Sequence, residues 1–112
     1  MIFTVKKLFI KDSVKLNGRH FDPNVRIMLD AARWTAPRTM DSAVWVTSAN
    51  DSQHMPGSKH FSNEAFDIRT RNIVGDNKAE LTQQWTNRIQ AFLGEDYDVV
   101  SEGDHIHIEF DP

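Results

Sequence analysis

The chain has no cysteine, which removes disulfide staples and every thiolate metal site at once. Any metal must be held by nitrogen and oxygen. Positive charge is also scarce: 13 Lys and Arg stand against 16 Asp and Glu, for a formal net charge of -3. A broad basic face for gripping nucleic-acid phosphates is therefore not expected. Long apolar runs are missing too. The opening Met-Ile-Phe-Thr-Val-Lys-Lys-Leu-Phe-Ile is interrupted by Lys6 and Lys7, and its apolar stretch is too short for a signal peptide or a membrane span. The expectation is a protein made in the cytoplasm without a signal peptide, with no nucleic-acid or membrane partner. No repeat, low-complexity tract or linker breaks the order. With 112 residues, 39% of them hydrophobic, the chain has room for one core, so residues 1–112 are read as a single domain.

What is present alternates between strand-like and helix-like patterns. Residues 2–10 are rich in β-branched and aromatic side chains, and Leu16-Asn17-Gly18 gives a turn signal. Asp22-Pro23 has the form of a helix start, and Val25, Met28, Leu29, Ala32 and Trp34 recur at helical spacing until Pro37. Val44-Trp45-Val46-Thr47 is a buried-strand pattern that runs into the polar stretch Ser48-Ala49-Asn50-Asp51-Ser52. Another strand is expected over 65–70, and a second helix over Lys78–Leu93 with Leu81, Trp85, Ile89 and Phe92 on one face and Gly94 ending it. Tyr97-Asp98-Val99-Val100 and residues 105–110 then form a hairpin about Ser101-Glu102-Gly103-Asp104. The predicted class is α+β, a small, mainly antiparallel sheet packed on two or more helices. Trp34, Trp45 and Trp85 are expected in the core.

Two stretches carry the chemistry: Ser58-Lys59-His60-Phe61-Ser62-Asn63-Glu64-Ala65-Phe66-Asp67 and Asp104-His105-Ile106-His107. Period 2 in the last strand sends His105, His107 and Glu109 to one face and Ile106, Ile108 and Phe110 to the other. Either imidazole is a candidate metal ligand, and the spacing does not choose between them. His60 and Asp67, with six residues between them, can approach one another if the chain folds back. Pro56-Gly57 and Asn63 permit that. Two imidazoles and a carboxylate are the donor set of a catalytic zinc, which keeps a fourth position for water and lowers its pKa to about 7. Glu109 is a candidate to orient a ligand imidazole through its other nitrogen.

The spacing Ser58-x-His60-x-x-Asn63-x-Ala65-x-Asp67 resembles the Ser-x-His-x-x-Gly-x-Ala-x-Asp signature of peptidase family M15. These are the zinc D-alanyl-D-alanine carboxypeptidases, dipeptidases and phage endolysins that cut peptidoglycan stem peptides. Asp104-x-x-His107 looks like that family's acidic-x-x-His pair. The resemblance implies a Hedgehog/DD-peptidase-like fold, zinc bound by His60, Asp67 and His107, and Asp104 as the catalytic base, with Glu102 in reserve. Ser58 would hold substrate, helped by His54 or Arg69. It also implies a monomer that meets its stem-peptide partner at the cell wall, after release from the cytoplasm or as part of a phage particle. Two departures stand out. Asn63 replaces the family's Gly, and Ser48-Ala49-Asn50-Asp51 replaces a Ser-Gly-Tyr-Arg stretch whose Arg assists the substrate carbonyl. The second departure leaves a wall-binding module without turnover as the alternative function.

Overall fold

The computed structural model of the protein describes residues 7–11, 23–38, 40, 43–49 and 65–112. In chain order these form β1 (Leu8–Ile10), α1 (Pro23–Thr35), β2 (Val44–Ala49), β3 (Ala65–Arg69), α2 (Lys78–Leu93), β4 (Tyr97–Ser101) and β5 (His105–Phe110). The strands make one sheet in the order β1-β2-β3-β5-β4. Its β2–β3, β3–β5 and β5–β4 pairings are antiparallel, while β1 joins the edge parallel to β2. This is the expected α+β class. The turn signal at Leu16-Asn17-Gly18 and the cap at Asp22 lie outside the described residues, as do His20, His54, Ser58 and His60.

Alternation divides the sheet into a core face and a polar face. Val44, Val46, Phe66, Ile68, Ile106 and Ile108 point inward against α1 and α2 and are almost wholly buried. Each such side chain contributes about 1.5–3 kcal/mol by leaving water. Pro23 opens α1, where its missing N–H costs nothing. Val25, Met28, Leu29 and Ala32 then form the buried stripe that their spacing requires. Gly94 ends α2 at φ 92°, a conformation that side chains with a Cβ rarely adopt, and its N–H bonds to the carbonyl of Gln90.

The buried side of α2 is Thr82, Trp85, Thr86 and Ile89 rather than the expected stripe. Leu81 sits at its margin, and Phe92 is 47% exposed. The two threonines can be buried because each hydroxyl donates to the carbonyl four residues back, Lys78 and Thr82 respectively. The tryptophans also divide. Trp85 is 1% exposed, but Trp34 is 55% exposed on α1, and Trp45 lies half-buried on the polar face of the sheet. A helical period places Trp34 near the edge of the apolar stripe, and period 2 puts Trp45 opposite Val44 and Val46. Neither belongs to the core.

Trp85 also joins the two helices, since its Nε1–H donates to the carbonyl of Ala32 at 3.2 Å inside the core. Trp85→Phe keeps most of the apolar volume but leaves that carbonyl without its side-chain donor. The expected loss is roughly 1–3 kcal/mol, read from the urea midpoint. An unchanged midpoint would mean that the bond contributes nothing net.

Candidate functional site

The polar face is organised by the register of β3 against β5. Asp67 lies directly opposite His107, and Arg69 opposite His105; directly opposed residues project from the same face. Two motif residues that are 40 apart in sequence thus meet: His107 Nδ1 donates to Asp67 Oδ1 at 2.7 Å. On its other side His107 Nε2 donates to Glu109 Oε1 at 2.9 Å. Glu109 is buried and faces Ala65 across the β3–β5 ladder. A small side chain there leaves room for the carboxylate.

His105 occupies the next position on the same face. Its Nδ1 donates to Asp104 Oδ1 at 2.8 Å, while its Nε2 is 3.9 Å from Asp67 Oδ2 and 3.6 Å from Glu102 Oε2. The hairpin turn makes this possible. Gly103 adopts φ 84°, and the N–H of Glu102 bonds back to the carbonyl of His105 at 2.9 Å. Asp104 is also fixed through its backbone, whose carbonyl accepts from the N–H of Thr70 at 3.0 Å.

The electrostatics follow from these contacts. The Asp67 carboxylate bonded to His107 raises its pKa to about 9; burial opposes the rise and Glu109 reinforces it. His105 is raised above its usual value by its bond to Asp104, against the cost of partial burial and with help from Asp67. Asp104 is lowered in turn, mainly by its bond to His105.

A pH dependence of stability follows for the metal-free protein. His107 has a folded-state pKa above its unfolded value of about 6.5, so its contribution is fully present below pH 6.5. That contribution disappears as pH rises through about 9. The loss should reach at most about 3 kcal/mol, seen as a lower urea midpoint at pH 9.5 than at pH 6 in the presence of a chelator. His107→Gln should flatten that difference. An equal slope in parent and variant would place the titrating group elsewhere.

Asp67 and His107 suit a metal by donor type and by position. Nitrogen and oxygen donors without sulfur are compatible with zinc. Two donors on one tetrahedral zinc lie roughly 3.3 Å apart, so the 2.7 Å pair would have to part by only about half an ångström. Glu109, accepting from Nε2, would fix the tautomer that leaves Nδ1 for the metal. His60 falls outside the described residues, as do Ser58 and His54. The face also gathers Asp98, Glu109 and Asp111, whose ligand oxygens lie within 4.8 Å of one another.

A cleft of about 450 Å³ opens here, lined by Asp67, Asp104 and His105 together with Lys11, Trp45, Thr47, Ser48, Arg69 and Arg71. Thr47 and Ser48 are sequence neighbours that a regular strand would send to opposite faces. Both reach the cleft because the β2–β3 register shifts between Val46 and Ser48. Trp45 forms one wall, tilted against Phe9 at 4.9 Å between ring centroids, with the Arg69 guanidinium 4.9 Å from its own ring centroid. Lys11, Trp45 and Arg71 carried no motif signal in the sequence. Their common feature, a shared cleft, arises only from strand pairing. Comparison with protein-family models, curated proteins and solved structures finds no match to this chain.

Proposed function

We propose that this chain is a zinc-dependent peptidase of the M15 type that hydrolyses peptide bonds in peptidoglycan stem peptides. The observation that carries the reading is the contact of Asp67 with His107. Asp67 of one family-like motif and His107 of the other meet on one face of one sheet at 2.7 Å. His60 would complete the set. Zinc held there supplies a Lewis acid for the scissile carbonyl and a bound water of lowered pKa.

The chain's own groups do the remaining work. Glu109 holds the His107 ring through Nε2. Asp104 is the general base, oriented by the bond it accepts from His105, and it passes the abstracted proton to the leaving amine. Ser58, His54 and Arg69 hold the substrate, with the Arg69 guanidinium packed against the Trp45 ring. No described helix is long and apolar enough to cross a membrane. A monomer working at the cell wall, after release or within a phage particle, fits this reading.

The test is incubation of the zinc-loaded protein with purified peptidoglycan, followed by mass spectrometry of the muropeptides. New free amines or shortened stem peptides with intact glycan are expected. Tight wall binding without any cleaved peptide would instead support the wall-binding module.

A further inference from the structure

We propose that the side chain of Gln90 caps the outer edge of β4 and keeps the protein monomeric, and that the edge it covers is a surface on which a second copy of this chain would otherwise add its own β4. This holds whether or not the chain cleaves peptides. β4 ends the described sheet, with β5 as its neighbour. An end strand offers a row of backbone groups to any other strand it meets. The N–H of Asp111 bonds to the carbonyl of Asp96, and that of Glu102 to the carbonyl of His105, so the even-numbered residues here turn their backbone groups toward β5. Those of Tyr97, Val99 and Ser101 therefore point outward.

Gln90 meets two of these outward groups. It lies on α2, and its amide nitrogen donates to the carbonyl of Tyr97 at 2.6 Å while its amide oxygen accepts from the N–H of Val99 at 3.1 Å. These bonds, to a carbonyl and an N–H on either side of Asp98, are the pair that one residue of a parallel neighbour strand would make. One side-chain amide thus stands in for one residue of strand. The amide nitrogen also donates to the carbonyl of Gly94 at 2.9 Å, and the backbone carbonyl of Gln90 accepts from the N–H of Gly94 at 2.8 Å, so the cap is held in place. The strand beneath it would otherwise be a good template. Tyr97-Asp98-Val99-Val100 is rich in residues that favour strands, and Val100 is 46% exposed. The sequence also suits pairing with itself. In an antiparallel match centred on Val99, Asp98 lies opposite Val100 of the second copy, so no two carboxylates are set face to face. That match needs the Val99 N–H and the Tyr97 carbonyl, the two groups that Gln90 holds.

The experiment is sedimentation velocity on the full chain, with amide hydrogen exchange measured on the same samples. The parent should sediment as a 12.9 kDa monomer, with the Val99 N–H protected and the Ser101 N–H exchanging faster. Gln90→Ala keeps the helix, because alanine is the best helix former, and it frees two groups in each copy. With those bonds no longer to be broken, self-association should tighten roughly a hundredfold. The variant should then run at twice the monomer mass, with the Ser101 N–H protected. Gln90→Met keeps the length of the side chain without its amide and should do the same. Adding Ser101→Pro to either variant removes an outward N–H without touching the β4–β5 ladder, and it should return the protein to monomer. A folded Gln90→Ala or Gln90→Met protein that stays monomeric, or a dimer that survives Ser101→Pro, would overturn the cap. So would a parent whose Val99 N–H exchanges as fast as that of Ser101, a comparison that needs no variant to fold.

Discussion

His107→Ala should lose zinc and, with it, all hydrolysis above background. The side chain stands between Asp67 and Glu109 with both ring nitrogens engaged, so no neighbouring imidazole can take its place without moving the strand. A graded series follows from this geometry. Loss of a directly bound imidazole or carboxylate, in His107→Ala or Asp67→Ala, should weaken zinc by more than the roughly 10-fold to 100-fold that accompanies loss of an outer hydrogen-bond partner. Glu109→Gln removes only such a partner and should fall within that smaller range. His105→Ala should retain zinc, because its Nε2 lies 3.9 Å from Asp67 and it is engaged with Asp104 through Nδ1. Full zinc occupancy in His107→Ala together with loss in His105→Ala would assign the ligand to the other imidazole.

Asp104→Asn should keep zinc and lower hydrolysis by about 10²-fold to 10⁴-fold, the usual range for removal of a general base. The change preserves size and leaves the backbone bond from Thr70 intact, so folding should be unaffected. A second readout separates the base from a merely structural carboxylate. His105 lowers the Asp104 pKa through their hydrogen bond, which keeps Asp104 ionised further into the acid range. His105→Gln removes that effect, so the acidic limb of kcat/KM should move to higher pH. An unmoved acidic limb, or a parent-like rate in Asp104→Asn beside a collapsed rate in Glu102→Gln, would transfer the role to Glu102, whose carboxylate is 3.6 Å from His105 Nε2.

Local patterns in the sequence translate directly into parts of this structure. The bounds of α2 follow from helical spacing ended by Gly94, and they agree with Lys78–Leu93 as observed. In β5 the strict alternation of His105, His107 and Glu109 with Ile106 and Ile108 puts the polar face where it is found, because only one face can be buried. The helical face was harder to read. Threonines that bond to their own helix can be buried as readily as leucine, so Thr82 and Thr86 displace Phe92 from the expected stripe. Trp34 and Trp45 show the same limit, since large aromatic side chains are stable at half-exposed positions that their composition does not announce.

The site divides along similar lines. Asp67, Asp104 and His107 stand out through motif spacing. Their meeting depends on which residue of β3 pairs with which residue of β5, a register fixed by tertiary packing rather than by either segment alone. The role of Glu109 as the partner of His107 follows from i to i+2 spacing on one strand and was legible as a candidate. The Asp104–His105 bond was not, because it depends on how the Gly103 turn aims two adjacent side chains. Lys11 and Arg71 were invisible for another reason. They are 60 residues apart in the numbering and share a cleft only because β2 and β3 bring their flanking segments together.

The most direct measurement is a zinc titration of the chelator-stripped protein, with peptidoglycan hydrolysis followed at each addition. Activity should be absent at the start, rise in proportion to added zinc and level off at about one equivalent, as expected for a single catalytic metal. Hydrolysis that persists at full strength in chelator, or that never appears with one zinc firmly bound, would contradict a zinc peptidase centred on Asp67 and His107.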